Sequence, residues 1–277
     1  MPMLRKAPAV AGNVLLWAST LFFLWPFYWM LIGAFKNLKV ALQIPPEWFP
    51  KQPTMENFRI LAVDFPLFRW LYNSLFISVV STVLVIAVSS LAAYAFAKVP
   101  FKGSKWLFGA MIASMSIPHT VLLIPLFQMM NKLGMTNSLW GVLLPLVGWP
   151  FGVFLLKQFM QTLPGALIEA AKIDGASEWQ TFRRVMLPLA KPGIAVLGIF
   201  TFVNSWNDYV WQMIMLKDKM MYTIPVGVKI ARQVQEVDIN YGVAMAGALC
   251  ATLPVLLVFL YFQRYFTQGI TFGALKG

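Results

Sequence analysis

Few side chains in this sequence are equipped for covalent chemistry, and they are scattered. The 277 residues include one histidine, His119, and one cysteine, Cys250. A zinc-type centre needs three or four converging His, Cys or carboxylate ligands, and nucleophilic catalysis needs a base beside its nucleophile. The chain offers neither, so no catalytic residue and no metal ligand is assigned. Cys250 lies in an apolar run and reads as a small packing residue; being alone, it excludes an internal disulfide. His119 follows Pro118 in another apolar run and reads as an interior histidine. No G-x-x-x-x-G-K-[ST] loop is present, so the chain has no nucleotide-phosphate cradle of that kind. Asp208 stands out within NSWND at 204–208, because an ionisable residue in an apolar stretch points to function. Asn204, Trp206 and Asn207 beside it offer the amide and aromatic surfaces that suit sugar hydroxyls, so the four are candidates for lining a translocation path. The alternative is that Asp208 sits at a hydrated span end.

The most legible chemistry is one of recognition. Residues 169–192 read EAAKIDGASEWQTFRRVMLPLAKP, a charged island of helix formers between apolar segments. Thr162 is placed to cap a first helix, with Pro164 in its first turn, where a missing N–H costs nothing. Leu167, Ala170, Ala171 and Asp174 recur at helical spacing, and Gly175 can end the helix in a left-handed conformation. Ser177 and Gln180 form a capping-box pattern for a second helix. That helix carries Trp179, Phe182 and Val185 or Met186 on one face and Arg183 and Arg184 elsewhere, and Pro188 is expected to stop it. The predicted unit is helix, glycine turn, helix, stop. Two readings stay open on these grounds: an element that docks in a partner's groove, with Glu169 and the arginines fixing register, or an amphipathic connector resting on the membrane.

The elements around the island are membranous. Apolar residues make up 59% of the chain and charged residues 12%, about half the roughly 25% charge of soluble domains. A helix needs about 20 apolar residues to cross a bilayer, and cutting the chain at its charges predicts spans at about 14–35, 74–97, 107–130, 138–156, 193–215 and 242–263. Pro26, Pro118, Pro125, Pro145, Pro150 and Pro254 fall within these runs and are expected to kink helices rather than end them. The first run is too long for a cleaved signal and suits a retained anchor. The net charge of +12 comes from scattered lysines and arginines without a basic stripe, which favours membrane surface over nucleic acid. Lys98, Lys102 and Lys105 crowd one short loop against Lys132 in the next, which places both termini and the island on the cytoplasmic side. Regions 36–72 and 217–241 then face outwards.

Glu169-Ala170-Ala171, three residues, Gly175, nine residues, then Val185-Met186-Leu187-Pro188 resembles the EAA signature of ABC importer permeases, with valine at the usual isoleucine. YAFAKVPFKG at 94–103, SWNDYVW at 205–211, TIPVGV at 223–228 and the terminal FGALKG resemble the binding-protein-dependent carbohydrate uptake branch, nearest its smaller maltose-type permeases. The resemblance implies an all-α membrane protein of six transmembrane helices with a cytoplasmic coupling helix pair, the type I ABC importer permease fold. Its parts would be an N-terminal tail, first span and extracytoplasmic segment (1–72), a five-span core (73–267) with the coupling loop at 162–188, and a cytoplasmic tail (268–277). It implies coupling to an ATPase through Glu169, Ala170, Ala171, Asp174, Gly175, Leu187 and Pro188, and contact with a binding protein near Tyr222, Thr223 and Arg232. The implied partners are a second, distinct permease, two cytosolic ATPase subunits that hold ATP and magnesium, an extracytoplasmic solute-binding protein and membrane lipid. This chain would itself bind no cofactor and hydrolyse nothing. It would sit in the bacterial inner membrane and pass a sugar or oligosaccharide. The rivals are a glycerol-phosphate-like cargo and a stand-alone ion-coupled transporter, which would need several carboxylates in its spans.

Overall fold

A computed structural model describes residues 6–37, 43–234 and 241–274, with side chains for 12–37, 43–232 and 241–263. The described residues are helical and contain no strand, and helices leave no backbone group unpaired where lipid meets them. Three helices are long and apolar enough to cross a bilayer unbroken. They lie in α1 (Lys6–Ala34), α3 (Leu67–Lys98) and α13 (Tyr241–Ala274). Three bent pairs bring the spans to six if each crosses once.

In the first pair, α4 (Ser104–Ser114) and α5 (His119–Lys132) meet at 100°. The expected continuous helix over 107–130 is therefore interrupted. Pro118 stands outside both halves with extended backbone (ψ 131°), as the residue before α5. Met115, Ser116 and Ile117 close short turns onto carbonyls three residues back. In the second pair, α6 (Leu139–Val147) and α7 (Pro150–Gln161) meet at 41°, with Pro150 at the start of α7 rather than at a kink. Pro26, Pro125, Pro145 and Pro254 do lie inside helices. The third bend, of 75°, separates α9 (Glu178–Leu189) from α10 (Lys191–Asn207). Exposed Glu178, Arg183 and Arg184 hold α9 at the aqueous edge, so the crossing stretch is α10 continued by α11 (Val210–Met215). The short helices α2 (Glu56–Val63), α8 (Ala166–Ile173) and α12 (Ile224–Val234) complete the set among the described residues.

The chain forms two compact units. One comprises Met1–Leu67 with Gly227–Leu253. In it Asn57 donates to the carbonyls of Ala34 and Lys36, both at 2.8 Å, and so pairs acceptors left open by the end of α1. Gly33 lies against Met245, and Gly242 against Asn57, closer than any side chain would permit.

The other unit comprises Phe68–Val226 with Pro254–Gly277. Its central helix, α3, buries Ser74, Ser78, Ser81, Val85, Ser89 and Ala93 along one stripe. Small side chains bring helices close where no apolar solvent drives them together. A methyl on Gly152 of α7 would meet Ser89 Oγ at 2.5 Å, and one on Gly193 of α10 would meet the Phe159 ring at 2.8 Å. Two apolar clusters form along α3. One gathers Val85, Ala93, Tyr94, Leu156, Met160, Ile168, Phe182, Met186, Ala190 and Leu197. The other gathers Ile77, Met130, Val142, Leu143, Trp211, Met215 and Leu216.

Candidate functional site

The island at 162–188 folds as a helix pair. Helix α8 begins at Ala166 after Gly165. Thr162 does not cap it: it closes the preceding helix α7, and its hydroxyl donates back to the Phe159 carbonyl at 2.8 Å. Three further residues intervene because the chain must leave α7 before α8 can start. The end of α8 follows the sequence expectation. Gly175 has φ +77°, Ala176 N–H bonds Ala171 O at 2.9 Å, and Gly175 N–H bonds Lys172 O at 3.0 Å. This is the paired closure of a Schellman turn, which requires a left-handed residue where glycine stands.

Helix α9 then starts on a complete capping box. Ser177 Oγ accepts from Gln180 N–H, and Gln180 Oε1 accepts from Ser177 N–H. Its middle, Phe182–Met186, opens into a π-turn, with Leu187 N–H reaching Phe182 O. Pro188 does not stop the helix, which runs on to Leu189 and turns at Ala190. Proline has no N–H for the regular bond to Arg184, so the wider turn leaves no donor wanting.

Burial divides this pair into an anchored face and a free tip. Ile168, Thr181, Phe182 and Met186 are buried, three of them in the cluster shared with α3, α7 and α10. Tyr94 packs on Phe182 with ring centroids 5.3 Å apart. Trp179, expected on that face, is instead 59% exposed and touches only the rim of the cluster through Phe182. Glu169, Ala170, Asp174, Gly175 and Pro188 are exposed, while Ala171 and Leu187 are half-buried. Ile173, 86% exposed, adds an apolar residue beside them.

Glu178 was not singled out from the sequence, yet it ties three elements together. Its carboxylate accepts from Tyr94 Oη on α3 at 2.7 Å and pairs with Lys172 Nζ of α8 at 2.7 Å. Those two donors hold its pKa below the ordinary glutamate value. Lys98 adds a third tie, donating to Leu163 O at 2.7 Å. Glutamate in a first helical turn is a local signal, but its partner Tyr94 lies 84 positions away.

The polar cluster at 204–208 is split. Asn204 and Asn207 are exposed and Asp208 is half-buried. Trp206 is buried and stacked on Phe202 at 5.6 Å, so in this conformation it belongs to the interior. Asp208 ends α10 and accepts from Trp211 N–H at 3.3 Å across the break before α11.

The stretch at 217–223 is pinned from within. Trp70 Nε1 donates to Lys219 O, and Asn73 donates to the carbonyls of Met220 and Tyr222. Ser74 Oγ receives Ile224 N–H, and Asn137 Oδ1 receives the N–H groups of Lys217 and Asp218. Thr223 is fully buried and donates its hydroxyl to Gln212, which places it among the struts and away from any partner. Tyr222 is half-buried, and Arg232 is exposed over the Tyr241 ring. Residues 235–240 of the same region, and all of the terminal FGALKG, lie outside the described side chains.

This arrangement of bent spans around an anchored helix pair is shared with solved structures. A bacterial ABC transporter involved in the import of the acidic polysaccharide alginate has a chain that superposes with TM-score 0.79 at 21% identity, covering 94% of this chain and 97% of that one. The fold is that of a type I ABC importer permease. The family described as "Binding-protein-dependent transport system inner membrane component" matches residues 85–272, and the chain belongs to it. Relatives of similar length support the same class. The arabinooligosaccharides transport system permease protein AraQ of Bacillus subtilis is 33% identical over 99% of this chain and all of its own. The trehalose/maltose transport system permease protein MalG of Thermococcus litoralis is 32% identical over 99% and 98%. The diacetylchitobiose uptake system permease protein NgcG of Streptomyces coelicolor is 30% identical over 98% and 90%.

Proposed function

We propose that this permease passes a sugar or oligosaccharide, handed over by an extracytoplasmic solute-binding protein, and is driven by ATPase subunits on separate chains. The observation that carries the coupling reading is the division of the helix pair into a clamped face and an exposed Glu169–Gly175 tip. A lever needs both a rigid attachment to the spans and a free surface for the ATPase. The Tyr94–Glu178–Lys172 ties and the cluster beneath supply the first; Glu169, Ala170, Asp174 and Gly175, flanked by Ala171, supply the second. Leu187 and Pro188 act at the other end, where α9 meets the bend into α10.

The working assembly contains a distinct second permease and two copies of an ATPase that holds ATP and magnesium. Both termini of this chain face the cytoplasm, and residues 73–267 form the core on which the coupling loop acts. Binding of ATP shifts the bundle only by its differential affinity for the two states, which the coupling tip transmits. Asn204, Asn207 and Asp208 are the path residues this geometry favours, at the α10–α11 break. Tyr222 and Arg232 are the binding-protein contacts, and Thr223 holds the backbone beside Tyr222 through its bond to Gln212.

Oligosaccharide cargo rests on the sugars named for the relatives AraQ, NgcG and MalG. One relative favours a second reading. The sulfoquinovosyl glycerol transport system permease protein SmoH of Agrobacterium fabrum is 32% identical over 92% of this chain, so a charged, glycerol-bearing sugar derivative is the alternative. The deciding experiment purifies the chain from native membranes in mild detergent and identifies its companions by mass spectrometry. An ATPase, a second permease and a binding protein whose bound solute can be read are expected. Recovery of the folded chain alone would remove the coupling reading and leave a stand-alone transporter.

A further inference from the structure

The loop that joins α3 to α4 carries a concentration of positive charge that coupling does not use. Between Asp64 and Glu169 the chain has no carboxylate at all, yet Lys98, Lys102, Lys105, Lys132 and Lys157 fall there. Lys98 is committed to Leu163 O. Lys102 and Lys105 are exposed on either side of Gly103, which turns the chain at φ +85° into α4. Lys157 comes from α7 and lies 3.8 Å from the centre of the Phe108 ring. None of Lys102, Lys105 and Lys157 has an ion pair among the described residues. Glu178, the carboxylate tied to α3, is occupied by Lys172 and Tyr94.

Aromatic rings frame these lysines. Phe96 packs on Phe101 at 5.6 Å and on Phe108 at 5.5 Å, folding the loop against the end of α3. Trp106, in the first turn of α4, is 87% exposed. A tryptophan left bare at the mouth of an apolar helix, directly after Lys105, suits the boundary between headgroups and hydrocarbon.

We propose that Lys102, Lys105 and Lys157, with Trp106 as the apolar contact, form a binding site for an anionic phospholipid headgroup of the leaflet this loop faces. The charge complementarity is one-sided: several cations, no acid in the surrounding sequence, and an interfacial aromatic to hold the glycerol and upper acyl region. The site sits directly after the span that carries Tyr94 and Lys98, so a bound headgroup fixes the chain next to the coupling anchorage. Assignment to the cytoplasmic leaflet rests on the orientation proposed above; the site itself does not.

The test titrates phosphatidylglycerol into the purified full chain in neutral detergent micelles and follows the change in melting temperature. Phosphatidylcholine and inorganic phosphate serve as separate arms. Phosphatidylglycerol should raise the melting temperature saturably, and the other two should not. The double variant Lys102→Gln/Lys105→Gln should need roughly thirty-fold more lipid for the same shift, as expected for two surface cations. Lys132→Gln, on the other side of the bent pair, should titrate like the parent. An equal response to phosphatidylcholine, an equal response to inorganic phosphate, or an unchanged midpoint in the double variant would each overturn the site. Orientation is read separately by impermeant maleimide on Ser104→Cys in a Cys250→Ser background. Labelling from outside intact cells would sink the leaflet assignment while the micelle titration still judged the site.

Discussion

The two ends of α3 are held by different physics. Around Ala93–Lys98 the neighbours are hydrocarbon: Leu156, Met160, Ile168, Phe182 and Met186 close on Tyr94, and one carboxylate, Glu178, joins three elements at the rim. Around Trp70–Ile77 an apolar cluster is present too, but what fixes the loop above it is a set of side chains reaching main-chain groups, from Trp70, Asn73, Ser74 and Asn137. Apolar packing is non-directional and transmits force as a block. Hydrogen bonds to a loop's carbonyls fix one backbone path and release it locally when broken. On the proposed coupling, this difference fits the Tyr94 end to work as a lever and the Trp70 end to present a shaped surface.

The largest expected effect comes from breaking the lever at its tip. Gly175 requires φ +77°, where a β-branched side chain is strained by at least 1–2 kcal/mol, yet open space surrounds it. Gly175→Val should therefore leave insertion intact, distort the tip, and lower uptake at least tenfold while ATP hydrolysis by the assembled transporter continues. Retained uptake would deny the tip its coupling role.

Next comes a matched pair, one substitution at each end. Leu156→Ala empties a fully buried position in the hydrocarbon cluster and should cost about 2–5 kcal/mol, read as a global fall in unfolding midpoint in detergent. Asn73→Leu removes the donor from two carbonyls, at 2.9 Å each, and should cost about 2–4 kcal/mol. Its effect should concentrate in residues 216–223, seen as faster proteolysis there before any global loss. If both variants unfold the chain equally and globally, the two ends do not differ as argued.

Much of this was legible from local sequence. Gly175 as a left-handed terminator and the Ser177–Gln180 box depend on neighbours within a few residues and appear where the pattern puts them; of the six apolar runs, three lie in unbroken helices and three fall in bent pairs. The misreadings share a different cause. Pro118 was expected to kink a helix but stands in a 100° break, because the freed backbone can close its own turn through Ser116 and Ile117. Pro188 was expected to end α9, but the π-turn at Phe182–Met186, just before it, absorbs its missing donor. Thr223 was a candidate contact for a binding protein and Trp206 a candidate for the path; Gln212 and Phe202 hold them inside the fold in this conformation. Polar type alone does not reveal a side chain's partner, and those partners are set by tertiary packing.

Glu178 offers the finest discrimination between the two ends, since it brings a polar tie to the apolar one. Its side chain is half-exposed, so its ion pair with Lys172 is screened and contributes between about 0 and 1 kcal/mol. Because its folded pKa lies below the ordinary glutamate value, that contribution is complete above the ordinary value and is lost as pH falls through the lowered one. Glu178→Gln should thus barely change the unfolding midpoint at neutral pH and should remove the parent's acid-side loss. A double cycle with Lys172→Met separates the lever from the pair. If Glu178 merely stabilises, uptake will follow the small change in midpoint. If it transmits motion from α8 and α9 to Tyr94, uptake per ATP hydrolysed will fall several-fold with the midpoint unchanged, and the two substitutions together will cost no more than either alone.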